Sequence, residues 1–190
     1  MSRDERYQVP AADHRVEQTI LRSRFVATVG RADTAEEAAA FVRRVSAEFA
    51  GATHNCWAFA VGRPGSTDRV GMSDDGEPHG TAGRPMLAAL LHSGLGDVVA
   101  VVTRYYGGTK LGTGGLVRAY TTSVQLALES LPRVERVEWG EVTVVVDYAS
   151  VAALDALLPA FEAEALEREY AADVTLRVKL PESAVDAFRA

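Results

Sequence analysis

Residues 107–115 read Gly-Gly-Thr-Lys-Leu-Gly-Thr-Gly-Gly, five glycines in nine positions. So many glycines weaken regular structure, because each loses more backbone freedom on folding than any other residue. The flanks are of two kinds. Residues 98–106 form an apolar, β-branched run, the pattern of a strand buried on both faces. From about Leu116, the residues Tyr120, Val124, Ala127, Leu128 and Leu131 recur at helical spacing, and Pro132 ends the pattern. The chain must therefore pass from a buried strand to an amphipathic helix through a backbone that is free to take positive φ.

The rest of the chain alternates strand and helix signals. Residues 14–30, with Phe25, Val26, Thr28 and Val29, read as a strand or hairpin ending at Gly30. Thr34 and Glu37 form a capping box before a helix carrying Ala38, Phe41, Val42, Val45 and Phe49, which Gly51 ends. A strand over 55–61 contains Trp57 and Phe59, a turn covers 62–68, and a short strand covers 70–73. Residues 74–81 are too rich in turn formers for regular structure. A helix over 82–93 tolerates Pro85 in its first turn and is closed by Gly94 and Gly96.

Beyond residue 140 the pattern is strand 141–148, then a helix capped by Ser150 that carries Val151, Leu154 and Leu158 and stops at Pro159. Two strands follow in 164–180, and a helix starts at Pro181. That order, βαββα, is a ferredoxin-like half-sandwich without its usual last strand. The expected fold class is α+β. The expected domains are 1–134 and 135–190, joined by a linker over 132–139.

Charge divides along the same line. The net charge is −6, against a general nucleic-acid binder with a basic footprint. Residues 1–136 hold 16 basic and 15 acidic side chains, whereas residues 137–190 hold 4 and 11. An anion site therefore belongs to the first part. The N-terminus has no apolar stretch for a signal peptide, and no segment approaches the roughly 18 apolar residues of a spanning helix. The expected location is the cytoplasm, with no membrane partner. A single cysteine, Cys56, excludes an intrachain disulfide and a Cys-only zinc site.

Two segments have the composition of a site. In the first, Gly107, Gly108, Gly112, Gly114 and Gly115 let the backbone approach a ligand. The helix behind them offers free N–H groups and a partial positive charge. Lys110 adds a full charge, and Arg104 is placed to point the same way. Together these suit a phosphate or carboxylate. The loop lacks the Gly-Lys-Ser/Thr of a P-loop, and Val117 stands where a dinucleotide fingerprint has its third glycine. A tight strand-to-helix crossing that needs glycines only for packing is the other reading. Tyr105 and Tyr106 end the preceding strand, where a ring can stack on a base; alternation would send one ring inward and leave the other partly exposed.

The second segment is the acidic turn Asp74, Asp75, Gly76, Glu77, Pro78 and His79, with Thr81 and Gly83 beyond it. Its carboxylates are the donor type for Mg²⁺ or Ca²⁺, but the spacing does not fit an EF-hand. The plainer readings are a solvated turn with Thr81 capping the next helix, or a turn that orients Arg104 or Lys110 by charge pairing. No metal and no cofactor is assigned. No nucleophile-elbow, zincin or Cys/His ligand pattern appears, so no catalytic residue is assigned either. Cys56 beside Trp57 reads as core and His54 as an edge residue. His79 is the histidine with the stronger claim to function.

Taken together, Ser73-Asp-Asp-Gly-Glu-Pro78, Thr81-Ala-Gly-Arg-Pro85, Val102-Thr-Arg-Tyr-Tyr-Gly-Gly-Thr-Lys-Leu-Gly112 and Gly114-Gly-Leu-Val-Arg-Ala-Tyr120 resemble the signature of the Impact family. Ala52-Thr-His-Asn-Cys-Trp57 and Arg22-Ser-Arg-Phe25 resemble it too; the match covers most of residues 14–131, and the rest of the chain resembles the bacterial YigZ-type branch. The resemblance implies an N-terminal domain like the second domain of ribosomal protein S5, a mixed sheet with helices on one face, followed by a ferredoxin-like domain. The pair is similar to the last two domains of translation elongation factor G. Eukaryotic relatives restrain an amino-acid-starvation kinase by competing for its activator on ribosomes. Those relatives carry an extra N-terminal interaction domain, which is not expected here. No established catalytic activity accompanies the bacterial branch. The signature maps onto Asp75, Gly76, Glu77, Pro78, Gly83, Pro85, Arg104, Tyr105, Gly107, Gly108, Lys110, Gly112, Gly114 and Gly115.

The leading expectation is a non-catalytic protein that contacts RNA or the ribosome and modulates translation or a stress response. One alternative is an enzyme acting on a phosphorylated or carboxylated small molecule, with the acidic turn supplying an acid or base. The other is a protein–protein module whose acidic second domain recruits a basic partner. Nothing in the sequence sets the oligomeric state.

Overall fold

The structure is a computed structural model that describes residues 6–189. These fall into two compact units, 7–135 and 136–189, with Arg6 grouped in the second. The class is α+β in both.

The first unit is built on a five-stranded sheet. Its strands are β2 (His14–Ile20), β3 (Ser23–Arg31), β4 (His54–Val61), β5 (Arg69–Ser73) and β6 (Val98–Tyr105), in the order β2-β3-β6-β4-β5. Strand β1 (Tyr7–Pro10) pairs separately with β7 (Arg133–Arg136). The segment read as a linker thus begins with a strand, whose partner is more than a hundred residues away and leaves no local signal.

Two details differ from the expected arrangement. Every pairing in the five-stranded sheet is antiparallel, so the sheet is not mixed. Helices also cover both faces instead of one. Helix α1 (Ala35–Glu48) packs through Ala38, Phe41 and Val45 on Val99 and Val101. Helices α2 (Gly83–Leu91) and α3 (Gly112–Ser130) pack on the opposite face, against Phe25, Ala27, Val29, Cys56, Ala58, Val98, Ala100 and Val102. The central strand β6 is buried through residue 104, which requires cover on both sides.

The Thr34 half of the predicted capping box forms, while Glu37 reaches one residue past Thr34. The N–H of Glu37 donates to Thr34 Oγ1 at 3.1 Å, while the Glu37 carboxylate accepts from the N–H of Asp33 at 2.8 Å. Helix α3 starts four residues earlier than the periodicity suggested, so Gly112, Gly114 and Gly115 lie in its first turn. Each glycine there disfavours helix by about 1 kcal/mol relative to alanine. The long buried face beyond them, from Leu116 to Leu128, outweighs that penalty.

The second unit has β8 (Trp139–Val146), α4 (Val151–Leu157), β9 (Glu164–Tyr170), β10 (Val174–Pro181) and α5 (Val185–Arg189). Short 3₁₀ turns, Leu158–Phe161 and Glu182–Ala184, precede β9 and α5. The sheet order is β8-β10-β9, antiparallel throughout. This is a split βαβ arrangement with its core on Val174, Leu176, Val178 and Leu158. Ser150 makes no side-chain cap to α4. Asp147 fixes the turn before the helix, accepting the Ser150 N–H at 2.8 Å.

Candidate nucleic-acid interface

The antiparallel register sets three residues in one row at an end of the first sheet. Phe25 of β3 and His54 of β4 stand directly opposite Arg104 of β6. Residues opposite one another share a face, and this is the face covered by α2 and α3. Arg104 therefore points inward, and only 5% of it is exposed. Its Nη1 donates to Glu77 Oε1 at 2.6 Å and its Nη2 to Ser23 Oγ at 3.2 Å. The guanidinium lies 5.4 Å from the ring centres of both Phe25 and Tyr106. Its Nε is buried without a hydrogen-bond partner among the described residues.

Glu77 completes a buried polar cluster. Its Oε1 also accepts from the Tyr120 hydroxyl at 2.8 Å, and its Oε2 lies 3.9 Å from His54 Nε2. His54 Nδ1 is 2.7 Å from the carbonyl oxygen of Asp75, which can only accept, so Nδ1 carries the hydrogen. The Cys56 thiol lies 2.9 Å from the Asp74 carbonyl and 3.3 Å from the Tyr120 hydroxyl. Burial pushes that thiol up to about 12, so Cys56 stays neutral and unreactive at neutral pH. Burial, with Cys56 and Glu77 nearby, likewise raises the Tyr120 hydroxyl far above its ordinary value.

The acidic turn is structural around this anchor. Asp75 and Gly76 take positive φ, 41° and 84°, which swings Glu77 into the core. The Asp75 carboxylate accepts the Asn55 N–H at 2.6 Å. Asp74 accepts from the N–H groups of Gly80, Ala82 and Gly83 at 2.8, 3.1 and 2.8 Å, and so caps α2. Thr81 does not cap the helix; it is buried and donates to the Pro78 carbonyl at 2.6 Å. A Cβ on Gly83 would lie 2.9 Å from the Ser73 backbone, so glycine is what lets α2 rest on the end of β5. Pro78 and His79 are exposed, and His79 Nδ1 lies 3.8 Å from Asp74 Oδ2. The histidine beside the cluster is His54, contrary to the preference for His79.

Arg104 is consequently not an anion-binding residue at the surface, as the sequence suggested. The parity of β6 turns it into the core, where Glu77 neutralises it. The structure bears out the alternative that the acidic turn orients Arg104 by charge pairing, through Glu77, and Ser23 links that pair to the loop. Ser23 Oγ accepts from Arg104 Nη2 and also from the Gly107 N–H at 3.2 Å. Ser23, a short side chain two residues before Phe25 and on its face, was missed as a site residue. Its signal is the alternation of β3.

The surface of the loop is a different environment. A Cβ on Gly107 would lie 2.0 Å from the Arg22 carbonyl oxygen, so Gly107 serves close packing of the β2–β3 hairpin tip. Gly108 and Gly112 have φ of 82° and 71°, and a Cβ on Gly114 would meet nothing within 4 Å. Leu111 holds the cap position of α3 with no side-chain cap, and the first turn has no acidic residue. Lys110 and Arg22 are exposed, and neither is in an ion pair among the described residues. Tyr106 is 46% exposed beside them. Tyr105 turns to the other face, under the Arg24 guanidinium at 5.3 Å. Backbone N–H groups, two cations and one ring thus share this end of the unit, the inventory of a phosphate-contacting surface.

Two predictions follow from the buried cluster and the turn. Glu77→Gln leaves the Arg104 guanidinium without a counter-charge and costs about 3–5 kcal/mol in urea unfolding. Pairing it with Arg104→Met recovers part of that loss, with a coupling of at least about 2 kcal/mol in the double-mutant cycle. For Asp74, burial favours the neutral acid, but the N–H bonds from Gly80, Gly83 and Ala82, with His79, hold the carboxyl below its usual range. The stability it contributes is fully present above its unfolded value, about pH 4, and is lost as pH falls through the lower folded value. In acid titrations Asp74→Asn therefore narrows its stability gap to the wild type below about pH 4.

Comparison with known proteins agrees with the motifs. The Impact N-terminal domain model matches residues 21–128, and the Domain of unknown function (DUF1949) model matches residues 144–190. IMPACT family member YigZ of Escherichia coli (strain K12) is 44% identical over 98% of this chain and 91% of its own length. IMPACT family member YvyE of Bacillus subtilis (strain 168) is 36% identical over 94% of this chain and 80% of its own. A solved structure titled "Crystal structure of an hypothetical protein" is 43% identical and superposes with a TM-score of 0.72, covering 97% of this chain and 89% of that one. The chain belongs to the Impact family.

Proposed function

We propose that this protein binds RNA, on the ribosome, through the loop and helix start at residues 107–115, and modulates translation by that contact. The observation that carries the reading is the first turn of α3, made largely of glycine and without a side-chain cap, and flanked by Lys110 and Arg22, which form no ion pair among the described residues. Free N–H groups and positive charge at a helix N-terminus bind phosphate oxygens without reading sequence. Tyr106 adds a ring on which a base can stack. The excess of acidic residues in 137–190 directs the contact to the first unit. The resemblance of the motifs to a family expected to be similar to ribosomal protein S5 and elongation factor G suggests the translational setting. The enzymatic alternative draws less support, since Glu77 is buried and engaged by Arg104 and Tyr120.

The reading is tested by the affinity for ribosomes and for a fluorescent single-stranded RNA across a salt series. Each phosphate contact contributes about 0.7 to the slope of log affinity against log salt for single strands, so Arg22→Ala with Lys110→Ala flattens the slope by about 1.4. The same pair weakens binding by about tenfold at physiological salt, uniformly across RNA sequences. Binding that ignores salt, or that survives the double substitution unchanged, contradicts it.

A further inference from the structure

Helices α2 and α3 run in the same direction. Strands β5 and β6 each pair antiparallel with β4, so both end on one side of the sheet, and each leads into its helix. At the other side, Asp97, beyond α2, donates its N–H to the Gly62 carbonyl at 3.0 Å, and Ser130, ending α3, meets His14 at 2.8 Å. A groove of about 920 Å³ runs between the two helices, lined by Arg84, Ala88 and His92 of α2 or its end and by Val117, Thr121 and Gln125 of α3. Arg84 and Val117 belong to the helix starts, so one mouth of the groove opens beside the loop at 107–115.

This face is depleted of negative charge. From Pro78 to Leu128 the sequence has one carboxylate, Asp97, although the whole chain has 26 in 190 residues. Asp97 is 1% exposed, which leaves the surface of the stretch without an acidic side chain. Its exposed cations are Arg84, Lys110 and Arg118, none in an ion pair among the described residues. Arg118 stands one helical turn beyond Gly114, beside Val117. Two carboxylates border the stretch. Asp74 lies with Arg84 around a neighbouring hollow, and its oxygens accept from the N–H groups of Gly80, Ala82 and Gly83. Glu129 lines the groove toward the end of α3, where Arg133 lines it too.

We infer that a single strand of RNA lies along the α2–α3 groove, continuing from the contact at 107–115 proposed above, on which this inference rests. Phosphates meet Arg84 and Arg118. Thr121 and Gln125, whose side chains make no hydrogen bond among the described residues, supply donors to phosphate or ribose oxygens. Packed helices have axes about 8–10 Å apart, so the furrow between them takes one strand and not a duplex. A cationic groove that follows the backbone is how single strands are held without sequence preference. Continuity with the bare start of α3 and the ring of Tyr106 favours a nucleic-acid strand over an acidic peptide, which has no base to stack.

The test measures binding of the full chain to fluorescent oligouridylates of about twelve and about four nucleotides across a salt series. Arg84→Ala with Arg118→Ala flattens the salt slope of the longer strand by about 1.4 and weakens it by about tenfold at physiological salt. The short strand, which the 107–115 contact accommodates alone, is unaffected. Ala88→Glu, a change at an exposed position in the groove, weakens the longer strand by about fivefold while the urea midpoint stays at the wild-type value. An unchanged slope in the Arg84/Arg118 variant, with binding still lost in the Arg22/Lys110 variant, overturns the groove and leaves the 107–115 contact standing. Equal weakening of both strands overturns the path along the groove. Equal binding of duplex RNA, or equal competition by polyglutamate, overturns the single-strand assignment. A wild-type chain that binds neither strand overturns this inference and the proposed function together.

Discussion

A guanidinium and a carboxylate meet in the interior of the first unit, and the geometry around them depends on that meeting. Arg104 and Glu77 each expose 6% or less of their side chains. Neither charge is tolerable there alone, because desolvation of one ion costs several kcal/mol. Together, and with Ser23 and Tyr120 supplying further hydrogen bonds, they are compatible with burial. The consequence is mechanical. Glu77 can reach Arg104 only if Asp75 and Gly76 take positive φ, so the acidic turn is drawn onto the sheet. That brings Asp74 to the start of α2 and, through Ser23, ties the Gly107 backbone to the same anchor.

The glycines then divide into two groups by what they do. Gly83 and Gly107 stand where a Cβ would collide with backbone, and they serve packing. Gly108, Gly112 and Gly114 face open space, and they leave the start of α3 bare. The close-packing reading of the glycine loop therefore holds at Gly107, whereas Gly108, Gly112 and Gly114 only leave room for the ligand approach proposed above. Sequence alone cannot divide them, since the colliding partners of Gly107 and Gly83 come from Arg22 and Ser73.

Most of the element order was legible because it rests on local signals. The Thr34–Glu37 box, the apolar run over 98–105 and the turn formers at 74–78 each act within a few residues. What failed was non-local. Strand β7 pairs with β1 from the far end of the unit, and the helices on both faces, consistent with the unbroken apolar run of β6, overturn the one-face cover that the resemblance implied. The site was half legible for the same reason. The family signature named Arg104, Glu77 and the loop together. It could not say that β6 parity turns Arg104 inward, which moves the exposed charge to Lys110 and Arg22. In the second unit, the order βαββα was readable.

The account separates a buried anchor from an exposed contact surface, and amide chemical-shift mapping of the full chain with a short single-stranded RNA distinguishes them. The perturbed amides are expected at Gly108, Lys110 and residues 112–115, with Arg22 beside them, while residues 74–81 and 137–189 stay unperturbed. Shifts centred on the acidic turn and His54, or on the second unit, would contradict the assignment of the contact surface to the bare start of α3.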